Sequence, residues 1–143
     1  MEVLVFKIDD RYYSIPVEQV VEIMTAAAVT CIPNAGQFVE GTFLFRGSVV
    51  PVLDLREYLG GQGSTSGVFI VTHVGSELLA LHADAVDASL RVDSYIKADL
   101  IMQCGEQPVL DGVFRREDQL VLELNLERIV QYVLGKEYAP CIE

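Results

Sequence analysis

The feature that most constrains this chain is a short turn set between two apolar runs, used several times. Gly41–Phe45 and Ser48–Leu53 are separated only by Arg46-Gly47, and Val68–Val74 and Glu77–His82 only by Gly75-Ser76. A two-residue loop joins antiparallel strands when its backbone takes positive φ, which glycine does without strain. Val3–Ile8 with Tyr12–Pro16 around Asp9-Asp10-Arg11, and Val109–Arg115 with Gln119–Leu124 around Glu117-Asp118, read as two more hairpins. Pro51 has no N–H and is expected at a strand edge or bulge.

The hairpins recur in an order that looks duplicated. Gly41–Leu59 aligns without a gap on Gly112–Val130. Glycine matches at 41 and 112, Phe at 43 and 114, Val at 50 and 121, and Leu at 53 and 124. Asp54-Leu55 falls on Asn125-Leu126, and the first hairpins superpose with Ile15 on Leu81 and Val20 on Val86. The Gly/Ser segment 60–67 separates the halves, with Asn34-Ala-Gly36 a further loop.

Between the hairpins the period changes. Val17, Val20, Val21 and Met24 stand at i, i+3, i+4 and i+7, which predicts a short amphipathic helix. Asp54 with Glu57 forms a capping-box pattern for a helix over Leu55–Leu59. Ala83–Ala88 is expected to be helical, and the stretch on to Gln107 shows no clear period. Asn125 caps a last helix, residues 126–134, whose Leu126, Ile129, Val130, Val133 and Leu134 share a face before Gly135 ends it. The expected fold is mainly β: one domain over 1–143 made of two small barrel-like units, near 1–60 and 67–124. Strands exchanged between the units are compatible with this order. Neither unit buries enough by itself, so the two are expected to share apolar surface.

The formal net charge of −11, with lysine only at positions 7, 97 and 136, argues against nucleic acid and anionic membranes as partners. Arg115-Arg116 is the nearest approach to a basic patch, and Asp111, Glu117 and Asp118 flank it. No apolar run approaches the ~20 residues that span a bilayer, so direct membrane insertion is not expected. The opening Met-Glu-Val-Leu carries no signal-peptide pattern, and the expectation is a cytoplasmic protein. Cys31, Cys104 and Cys141 are too scattered for a disulfide framework. His73 and His82 lack the i, i+4 spacing of a helical metal pair. Each reads as a satisfied or exposed histidine, and neither metal nor cofactor is expected.

A search for catalytic groups ends without a candidate. Gly63-Ser-Thr-Ser-Gly67 resembles a nucleophile elbow, but its centre is Thr65, its setting is a linker, and no histidine partner is evident. The same glycines lack the lysine of a phosphate-binding loop. Asp54, Asp84 and Glu123 are the carboxylates available for an acid–base pair; Asp54 reads better as a cap, and Glu123 is expected to face solvent. The reading is of a binding module, not an enzyme.

Several stretches, in order, resemble the CheW family. Leu4-Val-Phe-Lys-Ile8 is followed by Tyr13-Ser-Ile-Pro-Val-Glu-Gln-Val-Val-Glu-Ile23, then Ile32-Pro33 and Val39-Glu-Gly41. Phe45-Arg-Gly-Ser-Val-Val-Pro-Val-Leu-Asp-Leu-Arg56 carries the most specific part of the likeness. Leu81-His-Ala-Asp-Ala-Val86, Leu110-Asp-Gly-Val-Phe114 and Leu120–Leu126 extend it to nearly the whole chain.

The resemblance implies two SH3-like five-stranded β-barrels sharing an apolar interface. It implies a non-catalytic adaptor that couples the cytoplasmic tips of chemoreceptors to a CheA-type histidine kinase, through that kinase's CheW-like regulatory domain. It places the receptor tip, a helical hairpin, in the groove between barrels, a familiar recognition mode. Carried over by motif, the partner-binding residues are Val20 and Glu22 on the expected helix, Gly41, Arg46 and Gly47 on the hairpin, and Asp84 and Val86 in the second barrel. Gly41 and Gly47 also have conformational readings, and Val86 a core one. One departure stands out: Leu44 occupies the position, two before the Arg, where the family commonly has Asn. That exchange removes amide hydrogen bonds and offers an apolar contact. The alternative is a divergent CheW-like module that regulates or oligomerises in another kinase or motility system, or binds a small ligand between its barrels.

Overall fold

In the computed structural model, residues 1–31, 39–55, 66–93, 96–97 and 109–131 are described. The hairpins form where the turns demand them. They are β1 (Glu2–Ile8) with β2 (Arg11–Pro16), β4 (Val39–Phe45) with β5 (Ser48–Leu53), β6 (Val68–Val74) with β7 (Glu77–Ala83), and β10 (Leu110–Arg116) with β11 (Gln119–Leu124). The other described strands are β3 (Val20–Thr25), β8 (Ala85–Arg91) and the short β9 (Ile96–Lys97).

Two sheets result, ordered β8-β1-β2-β11-β10-β9 and β3-β6-β7-β5-β4. They cut across the two halves of the chain. Each half gives its first hairpin to the sheet that holds the other half's second hairpin. β5 and β7 meet in parallel, as do β11 and β2, at equivalent places in the two sheets. The duplication extends to irregularities. The register slips between Val39 and Gly41 in one sheet and between Leu110 and Gly112 in the other, positions that the repeat superposes.

Three apolar layers hold this together. Phe45, Val50, Val52, Phe69, Val71 and Ala80 fill one sheet's own interior, and Val3, Val5, Val92, Phe114 and Val121 fill the other's. Between the sheets lies a larger shared core, including Phe6, Tyr13 and Ile15 from one and Leu53, Ile70 and Leu81 from the other. Alternate residues of one strand therefore serve different cores: Val50 and Val52 point into their own sheet's interior, while Leu53 faces the shared layer.

Two expected helices are strands instead. Val17–Gln19 makes a single 3-10 turn, and Val20–Thr25 then runs as β3 with strictly alternating burial. The apolar residues at helical spacing are outweighed by a β-branched run that gains a ladder against β6, with Ile23 opposite Ile70. Ala85–Arg91 likewise forms β8 along β1, its half-buried residues alternating with exposed ones. The C-terminal helix begins as expected. α1 (Leu126–Ile129) is capped by Asn125, whose Oδ1 accepts from the Arg128 N–H at 2.9 Å, and Leu126 and Ile129 enter the shared core. The expected continuation through Val133 and Leu134, the helix after Asp54, most of the Gly/Ser segment, and Cys104 and Cys141 lie outside the described residues.

Candidate functional site

The Arg46-Gly47 turn projects from the end of the β4–β5 hairpin. Arg46 has φ 49° and Gly47 φ 84°, the paired positive values of a type I′ turn, whose twist matches the flanking strands. Glycine meets that demand freely, whereas arginine adopts it under strain. The Arg46 side chain is 68% exposed and makes two contacts. Its guanidinium lies 4.8 Å from the centre of the Phe45 ring, and it donates to Glu22 Oε1 of β3. β3 and β4 are the two margins of their sheet, so this ion pair brings opposite margins together. A backbone bridge between Thr30 and Thr42 works in the same sense. In the other sheet Arg116 at the end of β10 contacts Asp87 of β8 at 2.6 Å and lies over the Tyr12 ring. Both sheets thus curl until an arginine at or next to one margin reaches an acid on the other.

Apolar side chains flank the Arg46 turn. Leu44 and Val49 are cross-strand partners, and they are 71% and 70% exposed. Phe43 and Phe45 alternate with Leu44 and turn inward, Phe43 packing 5.2 Å from the Phe69 ring. On β3, Val21 and Ile23 are exposed on either side of Glu22. An exposed apolar pair beside a charged turn has the composition of an interface centre with a polar rim. Val49 is absent from the residues that the family motif points to, although the two-residue turn already pairs it with Leu44.

The remaining site residues have clear structural work. Gly41 is buried, and a Cβ there would stand 2.7 Å from the Thr30 carbonyl oxygen and 2.9 Å from a Val29 methyl. Val20 and Val86 are half-buried against the shared core. Asp84 accepts a hydrogen bond from the Asp9 N–H at 2.6 Å, tying the β7–β8 corner to the positive-φ turn of the first hairpin. Glu22 sits on a strand rather than on the expected helix. The seven residues therefore do not form one cluster: Arg46, Gly47 and Glu22 meet, while Asp84 lies at the β7–β8 corner against the β1–β2 turn.

Glu123 corrects a second expectation. It is buried, 2% exposed, and Ser14 donates its hydroxyl to it. Burial pushes its carboxyl up to about 7, with the Asp111 charge adding to the rise and the Ser14 hydroxyl opposing it. Strand alternation put Glu123 on the face of Val121, and that face is an interior. His73 and His82 are both hydrogen-bonded, His73 to the Glu18 carbonyl and His82 through both ring nitrogens.

With two sheets of matching strand order, joined by parallel seams and a shared core, the architecture can be compared with known proteins. The CheW-like domain family matches residues 2–133. The chain belongs to that family. Its relatives include the chemotaxis protein CheW of Thermotoga maritima, 24% identical over 140 residues, covering 95% of this chain and 91% of the relative. The chemotaxis protein CheW of Helicobacter pylori is 27% identical over 136 residues, covering 88% and 79%. Among solved structures, that of scaffolding protein TtCheW from Thermoanaerobacter tengcongensis superposes with a TM-score of 0.81 at 23% identity, covering 95% of both chains. That family likeness agrees with the mainly β, two-sheet fold described above. No helix among the described residues is long and apolar enough to cross a membrane.

Proposed function

We propose that this chain is a non-catalytic signalling adaptor that couples chemoreceptor tips to a CheA-type histidine kinase. The observation that carries the reading is the family match over residues 2–133, joined to relatives named as chemotaxis proteins over nearly the full length. The surface supports it: an exposed Leu44–Val49 pair beside a projecting arginine offers contact area and charge together. Arg46 is the pivotal side chain. Its five donors suit a carboxylate or a row of carbonyls on a partner, and Glu22 accepts from its Nη2 in the free chain. Binding through Arg46 then exchanges an exposed intramolecular pair for one shielded by the partner, a gain when the new site excludes water.

Co-purification tests the reading. The chain is mixed with a CheA-type kinase regulatory domain and a receptor cytoplasmic fragment, separately and together. An adaptor forms both binary complexes and a ternary one. Binding to the kinase domain without the receptor fragment would favour the regulatory or oligomerisation module, and binding to neither would end both readings.

A further inference from the structure

Sheet register, more than sequence spacing, assembles a group of metal-ligating side chains at the end of the β4–β5 hairpin away from Arg46. Parallel pairing sets Val52 beside Ala80 and Leu53 beside Leu81. One step further along both strands, Asp54 comes beside His82. On the other side of β5, Val39 faces Leu53 and Gly41 faces Val52, which leaves Glu40 as the extra residue of the bulge. The ligand atoms of Glu40, Asp54 and His82 lie within 4.8 Å of one another.

His82 is the centre of this arrangement. It is 1% exposed, and its ring stands edge-on to Phe69 at 5.1 Å. Its Nε2 is 2.7 Å from the Ser66 carbonyl oxygen, and its Nδ1 is 2.7 Å from Glu40 Oε1. A carbonyl only accepts, so Nε2 carries a hydrogen. In the neutral ring Nδ1 then aims a lone pair at a carboxylate, with a second carboxylate close by. A cation seated between them would take the ring nitrogen and both carboxylates as ligands. An Nε2–H held by a backbone carbonyl is also how a metal-bound histidine is commonly oriented. Ligands on a tetrahedral Zn²⁺ stand roughly 3.3–3.5 Å apart, given bonds of about 2.0–2.1 Å, so His82 and Glu40 need to part by less than about 1 Å and no pair needs to close by more than about 1.5 Å.

We propose that Glu40, Asp54 and His82 Nδ1 form a three-ligand site for a divalent cation of the Zn²⁺ class, leaving a fourth position for water. One nitrogen and two carboxylate oxygens suit zinc and similar borderline ions better than magnesium. The ion would staple β4, β5 and β7 together, well away from the Arg46 turn.

The test uses untagged full-length chain stripped with chelator and titrated with Zn²⁺ against a chromophoric indicator. One equivalent binding at low-micromolar Kd or tighter is expected, with a zinc-dependent rise in melting temperature. Glu40→Gln and Asp54→Asn should each weaken binding by more than about a hundredfold, beyond the roughly 10–100-fold that losing an outer contact costs. Glu40→Gln keeps an acceptor for His82, so its fold is checked by circular dichroism and its nitrogen resonances by NMR. A shift of the His82 Nδ1 resonance that saturates at one equivalent of Zn²⁺, with the Nε2–H retained, supports the site. Zinc binding that is absent, or equally strong in both variants, overturns it, as does a His82 Nδ1 resonance that does not move at saturating Zn²⁺.

Discussion

Arg46 and Glu22 stand on opposite margins of one five-stranded sheet and pair with each other across the seam. The Arg46 side chain is 68% exposed and that of Glu22 38%, so solvent screens the pair and it contributes little to folding. Its interest lies in what replaces it. Arg46→Ala is expected to change stability by about 0.5 kcal/mol or less. Loss of Arg46 at a partner interface costs about 2 kcal/mol of binding, roughly thirtyfold in affinity. Melting and pull-down of the same variant separate the two: normal melting with weakened assembly is the expected pair of results, and normal binding to both partners removes Arg46 from the interface.

Gly41→Ala is expected to destabilise by about 2 kcal/mol, since the new methyl meets the Thr30 carbonyl and a Val29 side chain inside van der Waals distance. Chemical denaturation measures it. A Gly41→Ala protein as stable as the parent would mean that the segment through Val29 and Thr30 moves aside at little cost.

Glu123 gives the chain a pH-dependent stability. Its folded value is raised from 4.5 to about 7, so between those pH values the folded state holds a proton that the unfolded chain releases. Stability therefore falls as pH rises through that window, by about 3 kcal/mol in full, and stays lower above it. Glu123→Gln keeps an acceptor for Ser14 and has no charge to bury. Urea unfolding at pH 5 and pH 8 should show a smaller loss for the variant, which becomes the more stable of the two at pH 8. An equal loss in both would place the dependence elsewhere.

Leu53→Ala should cost about 3 kcal/mol or more, because Leu53 is fully buried in the core shared by both sheets. Thermal melting should show one transition shifted as a whole. Two separated transitions would mean that the sheets unfold independently, against the shared layer.

The sequence alone determined the hairpins, because a two-residue turn such as Arg46-Gly47 leaves few ways to join two apolar runs. It also carried the duplication, since Gly41 and Gly112 mark the same bulge in each copy. The cap at Asn125 was legible because a helix start needs only local atoms. The segment after Pro16 was not legible in this way. Val17, Val20, Val21 and Met24 fit a helix as well as a strand, and only β6 lying alongside decided between them. The same holds for Ala85–Arg91 beside β1.

Glu123 looked solvated because strand alternation says which residues share a face and is silent on what covers it. Its equivalent in the other sheet is Val52, paired with Ala80 where Glu123 pairs with Ser14, so identical backbone geometry holds an apolar pair in one copy and a polar pair in the other. Glu40 and Asp54 are 42 and 28 residues from His82 along the chain, and no spacing rule joins the three. Parallel pairing of β5 with β7 and the bulge in β4 do so. Local turn and cap chemistry acts over a few residues and can be read in order; strand exchange, burial on both faces and side-chain convergence depend on which distant strands meet, and only the tertiary structure settles that.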